Sequence, residues 1–579
     1  MNGNPRKYWI LLLVALVLMV GGSLFGAWIN SGAGAATITD LKIVGNDGVI
    51  ISAYLYRPKS ATTQKPAPGA LLSHGWNNQK NYMANTALEL ARRGYVVLNI
   101  DAAAHGYSTG GNFIAATWQA DALKYLRSLA YVDKNNVVLA GMSMGGSVIT
   151  AAANGVPDGY KAMFFMESSC TSPCKGYKNV AINTGLVTEL GTPGPDYPKQ
   201  DSVKATFNTT EPVVPNKVYG SIADGTARIL YQPWEDHAWS TDAPSAIGNL
   251  IEWFNMVVES PNPLPRNDVI FPWKVAGTAV ALFGAFLFLF AMGAVLLQTS
   301  YFKSLIQPLP EYKGFKGIWW WVGALITTAL GPLLYLYAYR RAMGGFASAN
   351  ALWPQTGTNA YMVWAVMVGL IAIALILLNH FVFTKKQGAT AANYGLTSEG
   401  EGVDWSYIRK ALALALCVLV PLYLLLQLID TVWHVDWRAW VVVMAPMNPL
   451  RFKTFFAYLI PFAIYFVPQA ILFAGFLRVK EGKASVGREM VVNAVMLTLG
   501  AGIWLLLAYL PVLAGGAMRF TGQGIAAIYY IPFIVWWPLV ACLFTFFFRK
   551  TGRVYVGMLL VTLLFTWINA AFGTFSVWP

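Results

Sequence analysis

Hydrophobic and polar positions follow three rhythms along the chain. From Tyr8 to Ile29 there are twenty-two residues without a charge, most of them apolar, behind Arg6 and Lys7. At ~1.5 Å of helical rise per residue such a run crosses the ~30 Å hydrocarbon core of a bilayer, and it exceeds the ~7 to 15 residues of a secretory leader's core. An uncleaved transmembrane anchor is predicted over residues 1–30. The alternative is a leader cut in the small-residue stretch Gly32 to Ala36, and either reading exports the chain beyond it.

The second rhythm, over residues 36–262, alternates strands and helices. Apolar residues alternate from Thr37 to Arg57 on both sides of Asn46-Asp47-Gly48, which predicts a hairpin with an Asp-Gly turn. Short continuous apolar runs at Gly69 to Ser73, Tyr95 to Ile100, Val137 to Ala140 and Ala162 to Met166 predict strands buried on both faces of a parallel sheet. Further short strands are expected at Asn179 to Asn183 and Ala227 to Tyr231. Helical spacing lies between the runs, at Tyr82 to Arg93, Ile114 to Leu129 and Gly145 to Ala153. The stretch Gly191 to Pro215, rich in Pro, Thr and Asp, reads as a long loop. The expected fold is a mostly parallel sheet with helices on both faces, its chemistry in loops at the carboxyl ends of the strands.

The third rhythm, over residues 271–579, is all-helical: eight apolar runs of spanning length, Trp273 to Leu297, Gly317 to Ala338, Tyr361 to Phe383, Ala411 to Asp430, Phe455 to Leu477, Met490 to Leu513, Ile525 to Phe548 and Tyr555 to Phe575. With a cytoplasmic N-terminus, the inner loops carry sixteen Lys and Arg and the short outer loops seven, in agreement with the positive-inside rule. The strand-and-helix region then faces outward. Asp430 and His434 fall four apart at the outer end of one run, where the helix emerges from the bilayer.

Composition sharpens this picture. The chain is 56% hydrophobic and 12% charged, against ~25% charged in an ordinary soluble protein. Residues 31–268 hold 18 Lys plus Arg and 19 Asp plus Glu, so the net +14 lies in the membrane part. A nucleic-acid-binding domain would carry that charge on its own surface, and this excludes one. Cys170 and Cys174, in the exported part, are a candidate disulfide, with free thiols as the alternative. They have no second ligand pair to make a metal site. No phosphate-binding loop, dinucleotide fold or metal cluster is legible, so no cofactor and no metal are expected.

Gly141-Met142-Ser143-Met144-Gly145 follows a strand and opens a small-residue helix. A serine on such a turn projects its hydroxyl above the sheet, and Ser143 is the candidate nucleophile. His74-Gly75-Trp76 ends an earlier strand, where the backbone N–H of Trp76 can complete an oxyanion hole with that of Met144. His74 itself reads as a structural residue. His237, within Asp236-His237 after the last strand, comes after the serine in the chain order nucleophile, acid, histidine, and is the candidate general base.

Taken in order, Ser73-His74-Gly75-Trp76, Asp101-Ala102-Ala103-Ala104-His105-Gly106-Tyr107-Ser108, Tyr131-Val132-Asp133, Gly141-Met142-Ser143-Met144-Gly145-Gly146 and Asp236-His237 are motifs of one family. Over residues 40–258 the chain resembles the α/β-hydrolase superfamily, close to its dienelactone hydrolase and prolyl-oligopeptidase-like esterase branch. The C-terminal part resembles that of membrane-bound bacterial members. The resemblance implies an acid just after the strand at Asn179 to Asn183. That position falls near Thr188, with Glu189 beside it as first choice and Glu167 as the alternative acid, ahead of Asp196 and Asp201.

The expected activity is cleavage of a small acyl substrate, an ester, thioester or amide of lipidic character among the options, with membrane lipids as surroundings and no nucleic-acid partner. Two alternatives stand beside it: acyl transfer, and a degenerate ligand-binding domain serving a transporter or sensor. The gap between Met166 and Asn179 is too short for a helical cap, so the bilayer surface or the outer loops of the membrane part are expected to roof the site.

Overall fold

The computed structural model describes residues 5–110, 117–170, 174–519 and 523–577. Helix α1 (Pro5–Asn30) leads into the hairpin of β1 (Ala36–Val44) and β2 (Ile50–Pro58). In its turn Asp47 Oδ1 accepts the Val49 N–H at 3.0 Å and Gly48 takes φ +78°, as an Asp-Gly turn requires. Next in the chain come β3 (Ala67–Ser73), α2 (Ala84–Arg92), β4 (Val96–Ile100), α3 (Trp118–Ser128), β5 (Val132–Met142), α4 (Met144–Gly155), β6 (Ala162–Met166), β7 (Val180–Asn183), α5 (Asp201–Thr206), β8 (Arg228–Tyr231) and α6 (Pro244–Val257).

The sheet order is β1-β2-β4-β3-β5-β6-β7-β8. β2 runs antiparallel to both neighbours and β3 to β8 are parallel. One face packs Leu123 and Leu126 of α3 and Val148 and Ile149 of α4 over the strands. The other carries Ala87 and Leu90 of α2 and Leu250, Trp253 and Phe254 of α6. The strands lie where the apolar runs place them, except that β5 begins five residues early at Val132. The polar stretch Asp133 to Asn136 prolongs it past a register irregularity at Pro68/Gly69 in β3. Of the helix expected over Ile114 to Leu129, residues 114–116 lie outside the described residues. The long loop after β7 holds a 3₁₀ turn, Gly194–Lys199, and then α5, each six residues long and too short to display a 3.6-residue period.

The remaining helices are α7 (Phe271–Leu296), α8 (Ile318–Arg341), α9 (Thr356–Asn379), α10 (Trp405–Trp433), α11 (Pro449–Ile471), α12 (Val486–Leu513), α13 (Gly524–Tyr530), α14 (Phe533–Thr551) and α15 (Tyr555–Phe572). Among the described residues nine helical stretches, α1 included and α13 with α14 counted as one, are long and apolar enough to cross a membrane. Between α10 and α11 stands a hairpin, β9 (Trp437–Ala439) and β10 (Val442–Met444), which the hydropathy pattern does not announce.

α1 packs along α7 through small residues. A Cβ on Gly22 would lie 2.8 Å from Ala281 N, and one on Gly277 would lie 2.8 Å from Gly26 N. Close backbone approach of this kind is what glycines permit between apolar helices. α10 meets the sheet at its second strand: Tyr54 of β2 donates to Asp430 Oδ1 at 3.4 Å and its ring stands 5.1 Å from that of His434. The pair expected to emerge at a helix end is thus an interface pair.

Candidate active site

β5, β6 and β8 are parallel and end at the same edge of the sheet, with β7 between the last two, and each end is followed by one candidate side chain. Ser143 is the hinge between β5 and α4, at φ +51° and ψ −119°. A non-glycine residue there costs about 1–3 kcal/mol. Its N–H donates to Met166 O at 2.9 Å, which ties the turn to the end of β6. The surrounding glycines are sterically required. A Cβ on Gly141 would stand 2.6 Å from Gly146 N, one on Gly145 2.8 Å from His74 O, and one on Gly146 2.9 Å from Ser168 Cβ.

Gly75 brings the β3 loop against the serine, since a Cβ there would be 3.3 Å from Ser143 Cβ. Trp76 is the next residue, and Met144 is the first residue of α4, where a helix leaves its N–H groups without intrahelical partners. His74 braces this loop. Its Nε2 accepts the Ala102 N–H at 3.1 Å, so Nδ1 carries the proton and donates to Gly75 O at 2.7 Å. Full burial lowers its pKa, outweighing the raising effect of Asp101. His74 is the structural residue that the sequence suggests.

His237 lies in the loop after β8, and its Nδ1 stands 3.7 Å from Glu167 Oε2. That is an ion-pair separation rather than a hydrogen bond, and apo sites often show such contacts long. Burial alone would lower the His237 pKa. The facing carboxylate of Glu167, with Glu189 and Asp236 behind it, raises it above the usual value instead.

This corrects the expectation for the acid. Glu189 does not face the imidazole: its Oε2 accepts the backbone N–H of His237 at 2.9 Å and its Oε1 accepts Tyr509 OH at 3.2 Å. Burial, then Asp236, push its pKa up to about 7. Glu167, the alternative, begins the turn after β6 at φ +48°. Its Oε1 accepts Gly185 N–H at 2.5 Å and its Oε2 accepts Thr188 OH at 3.1 Å, which aims the second oxygen toward the imidazole. The resemblance that favours Glu189 places the acid after β7, whereas the carboxylate facing the imidazole stands a strand earlier, on the left-handed turn at Glu167.

Sequence reasoning missed the residues that cover this site, all from the helical half. Tyr529 of α13 stacks on Trp76 at 5.8 Å between ring centres. Asn77 N–H donates to Thr574 Oγ1 at 2.9 Å and Asn77 Oδ1 accepts Thr574 N–H at 2.7 Å. Trp440, at the tip of the β9/β10 hairpin, donates its indole N–H to Ala238 O at 2.9 Å, next to His237. Arg451 Nε and Asn448 Nδ2 both donate to Gly106 O, at 3.2 and 2.9 Å. No pattern in the sequence links positions so far apart. Cys170 and Cys174, beyond Glu167 in the chain, are joined as a disulfide.

A parallel sheet, a serine on a strained strand-to-helix hinge, and a histidine and a carboxylate brought together from the ends of two parallel strands define a class of fold and site. Residues 70–457 match the alpha/beta hydrolase family, and the chain belongs to that family. Among curated proteins it is similar to the quorum-quenching protein AidA of Acinetobacter baumannii, 35% identical over 124 residues, which are 20% of this chain and 39% of the relative. The chain thus spans well under half the length of that relative. Among solved structures, a dienelactone hydrolase from Anabaena variabilis is 17% identical, with 39% of this chain and 100% of that one covered and a TM-score of 0.28. An acetyl xylan esterase from Thermoanaerobacterium is 16% identical, with 38% and 84% covered and a TM-score of 0.27.

Proposed function

We propose that the protein is a membrane-embedded serine hydrolase, cleaving an ester, thioester or amide through an acyl intermediate on Ser143. The observation that carries this reading is the placement of His237 Nδ1 against Glu167 at the end of the strand next to the serine hinge. Glu167 on Nδ1 leaves Nε2 to take the hydroxyl proton as Ser143 Oγ attacks the carbonyl carbon. The Trp76 and Met144 N–H groups would hold the tetrahedral oxyanion, a contribution typically worth 10²–10³ per donor in turnover. Collapse expels the leaving group with the proton from His237. Water, activated the same way, then releases the acid and restores the serine. An acceptor alcohol or amine in place of water would make the same groups an acyltransferase.

The alternative of a binding domain without catalysis rests on a missing acid, and a carboxylate beside the imidazole speaks against it. In our reading the nine apolar helices span the membrane with the N-terminus in the cytoplasm. The sheet then faces the extracytoplasmic side, where the Cys170–Cys174 disulfide persists. The test is labelling of membranes carrying the full-length protein with a fluorophosphonate probe. Wild type is expected to label, and Ser143→Ala and His237→Ala to lose labelling by at least a thousandfold. Folded wild-type protein that does not label would end the proposal.

A further inference from the structure

We infer that the acyl part of the substrate is an apolar chain, seated in a cavity that the C-terminal helices build against the catalytic loops, so that the substrate is an acyl lipid. The inference rests on the serine-hydrolase reading of Ser143. The cavity encloses about 150 Å³ between Asn77 and Asn78 of the β3 loop and the helical half, whose walls there include Val443, Ile528, Phe533, Phe565, Ile568 and Phe572.

Three contacts fix it relative to the chemistry. Asn77 is the neighbour of the oxyanion donor Trp76, and Tyr529, which also lines the cavity, stacks on the Trp76 ring. Tyr82 OH and Trp440 Nε1, both lining groups, donate to the same carbonyl, Ala238 O, at 3.0 and 2.9 Å. The cavity therefore abuts the oxyanion loop on one side and the residue after His237 on the other. A carbonyl held between those two loops has one substituent departing as leaving group and the other, the acyl chain, retained beside them.

The hairpin is shaped for this contact. Trp440 takes φ +53° at its tip, a conformation a bulky side chain rarely adopts. Its indole is pinned to the catalytic loop and packs edge-on against Trp239 at 5.6 Å. The two-residue turn between β9 and β10 requires that backbone conformation, and it is filled here by a tryptophan rather than by a glycine or asparagine. The walls also hold Arg438, Thr358, Tyr361 and Asn569, but these already bond Asp436, Gln355, Tyr529 O and Phe565 O, so the cavity favours an apolar chain, each buried methylene strengthening binding roughly fourfold. At about 150 Å³ the cavity is smaller than the ~300–1,000 Å³ of a site enclosing a whole ligand, which suits one arm of a substrate.

The test uses the full-length protein in nanodiscs with p-nitrophenyl acetate, butyrate, octanoate and dodecanoate. Wild-type kcat/KM is expected to rise at least tenfold from acetate to octanoate. Ile568→Trp or Val443→Phe, which fill the cavity, should abolish that rise and leave acetate within about threefold. Leu375→Trp, in a separate cavity of about 550 Å³ between α8, α9 and α11, should track wild type. Each variant is first labelled with a short-chain fluorophosphonate, so that a misfolded one is replaced by the other.

A wild-type profile flat with chain length, or a rise that survives in the filled variants, overturns the inference while Ser143 labelling leaves the hydrolase reading standing. Wild-type protein that neither labels nor turns over removes both.

Discussion

Replacing Glu167 by Gln, and separately Glu189 by Gln, separates two carboxylates that the sequence ranks in the opposite order, Glu189 first and Glu167 second. Glu167 faces His237 Nδ1, whereas Glu189 holds only the backbone N–H of His237. An acid in the first position fixes the imidazole tautomer and stabilises the imidazolium, and its amide replacement in a related triad costs about 10⁴ in turnover. At 1.36 kcal/mol per tenfold that is about 5 kcal/mol of transition-state stabilisation.

The contact here is 3.7 Å rather than a short hydrogen bond, so the expected loss for Glu167→Gln is about 10³ to 10⁴. The same carboxylate also accepts Gly185 N–H and Thr188 OH. An amide must turn its NH₂ toward one of its three neighbours, which adds about 1–3 kcal/mol of destabilisation. Glu189→Gln keeps an oxygen for the His237 N–H and should lose less than tenfold. The assay is the pseudo-first-order rate of fluorophosphonate labelling in membranes, with a thermal melt of each variant to separate folding from chemistry. Glu189→Gln reducing the rate a thousandfold while Glu167→Gln stays within tenfold would refute the assignment.

Two further outcomes are expected. Because His237 must be neutral to accept a proton and its carboxylate neighbours raise its pKa, labelling should increase with pH through an apparent pKa above ~6.5. Glu189→Gln, which removes one of those charges, should shift that limb to lower pH; an unchanged or higher midpoint would contradict the electrostatics. In a Cys417→Ala, Cys542→Ala background, a membrane-impermeant maleimide should label Cys170 and Cys174 on intact cells only after reduction. Labelling without reductant, or only after the cells are opened, would contradict the disulfide or the orientation.

The elements that proved legible were those encoded locally. The β3, β4 and β6 strands announce themselves as apolar runs, the hinge at Ser143 as glycines at set distances, and the long helices by the length of their apolar runs. What was not legible depends on contacts far apart in the chain. Glu167 reaches His237 only because its backbone turns left-handed at the end of β6, and the residue number alone ranks Glu189 first. The cover formed by Tyr529, Thr574, Trp440 and Arg451 joins positions hundreds of residues from Trp76 and Ala238, and the turn of the β9/β10 hairpin carries a tryptophan where an Asn or Gly would have signalled it.

The glycine-lined seam between α1 and α7 also sets an order of assembly. On the proposed topology α1 enters the bilayer first, and its partner is made only after the whole sheet, which emerges between them as one exported loop. Until α7 arrives, the groove around Gly22 and Gly26 has no occupant, and closing it staples the ends of the sheet region at neighbouring points of the membrane. The hydrolase half is thereby held as a loop clasped at its base, unable to swivel as a domain on a single stalk would, and a cut in any one of its surface loops would leave both fragments anchored.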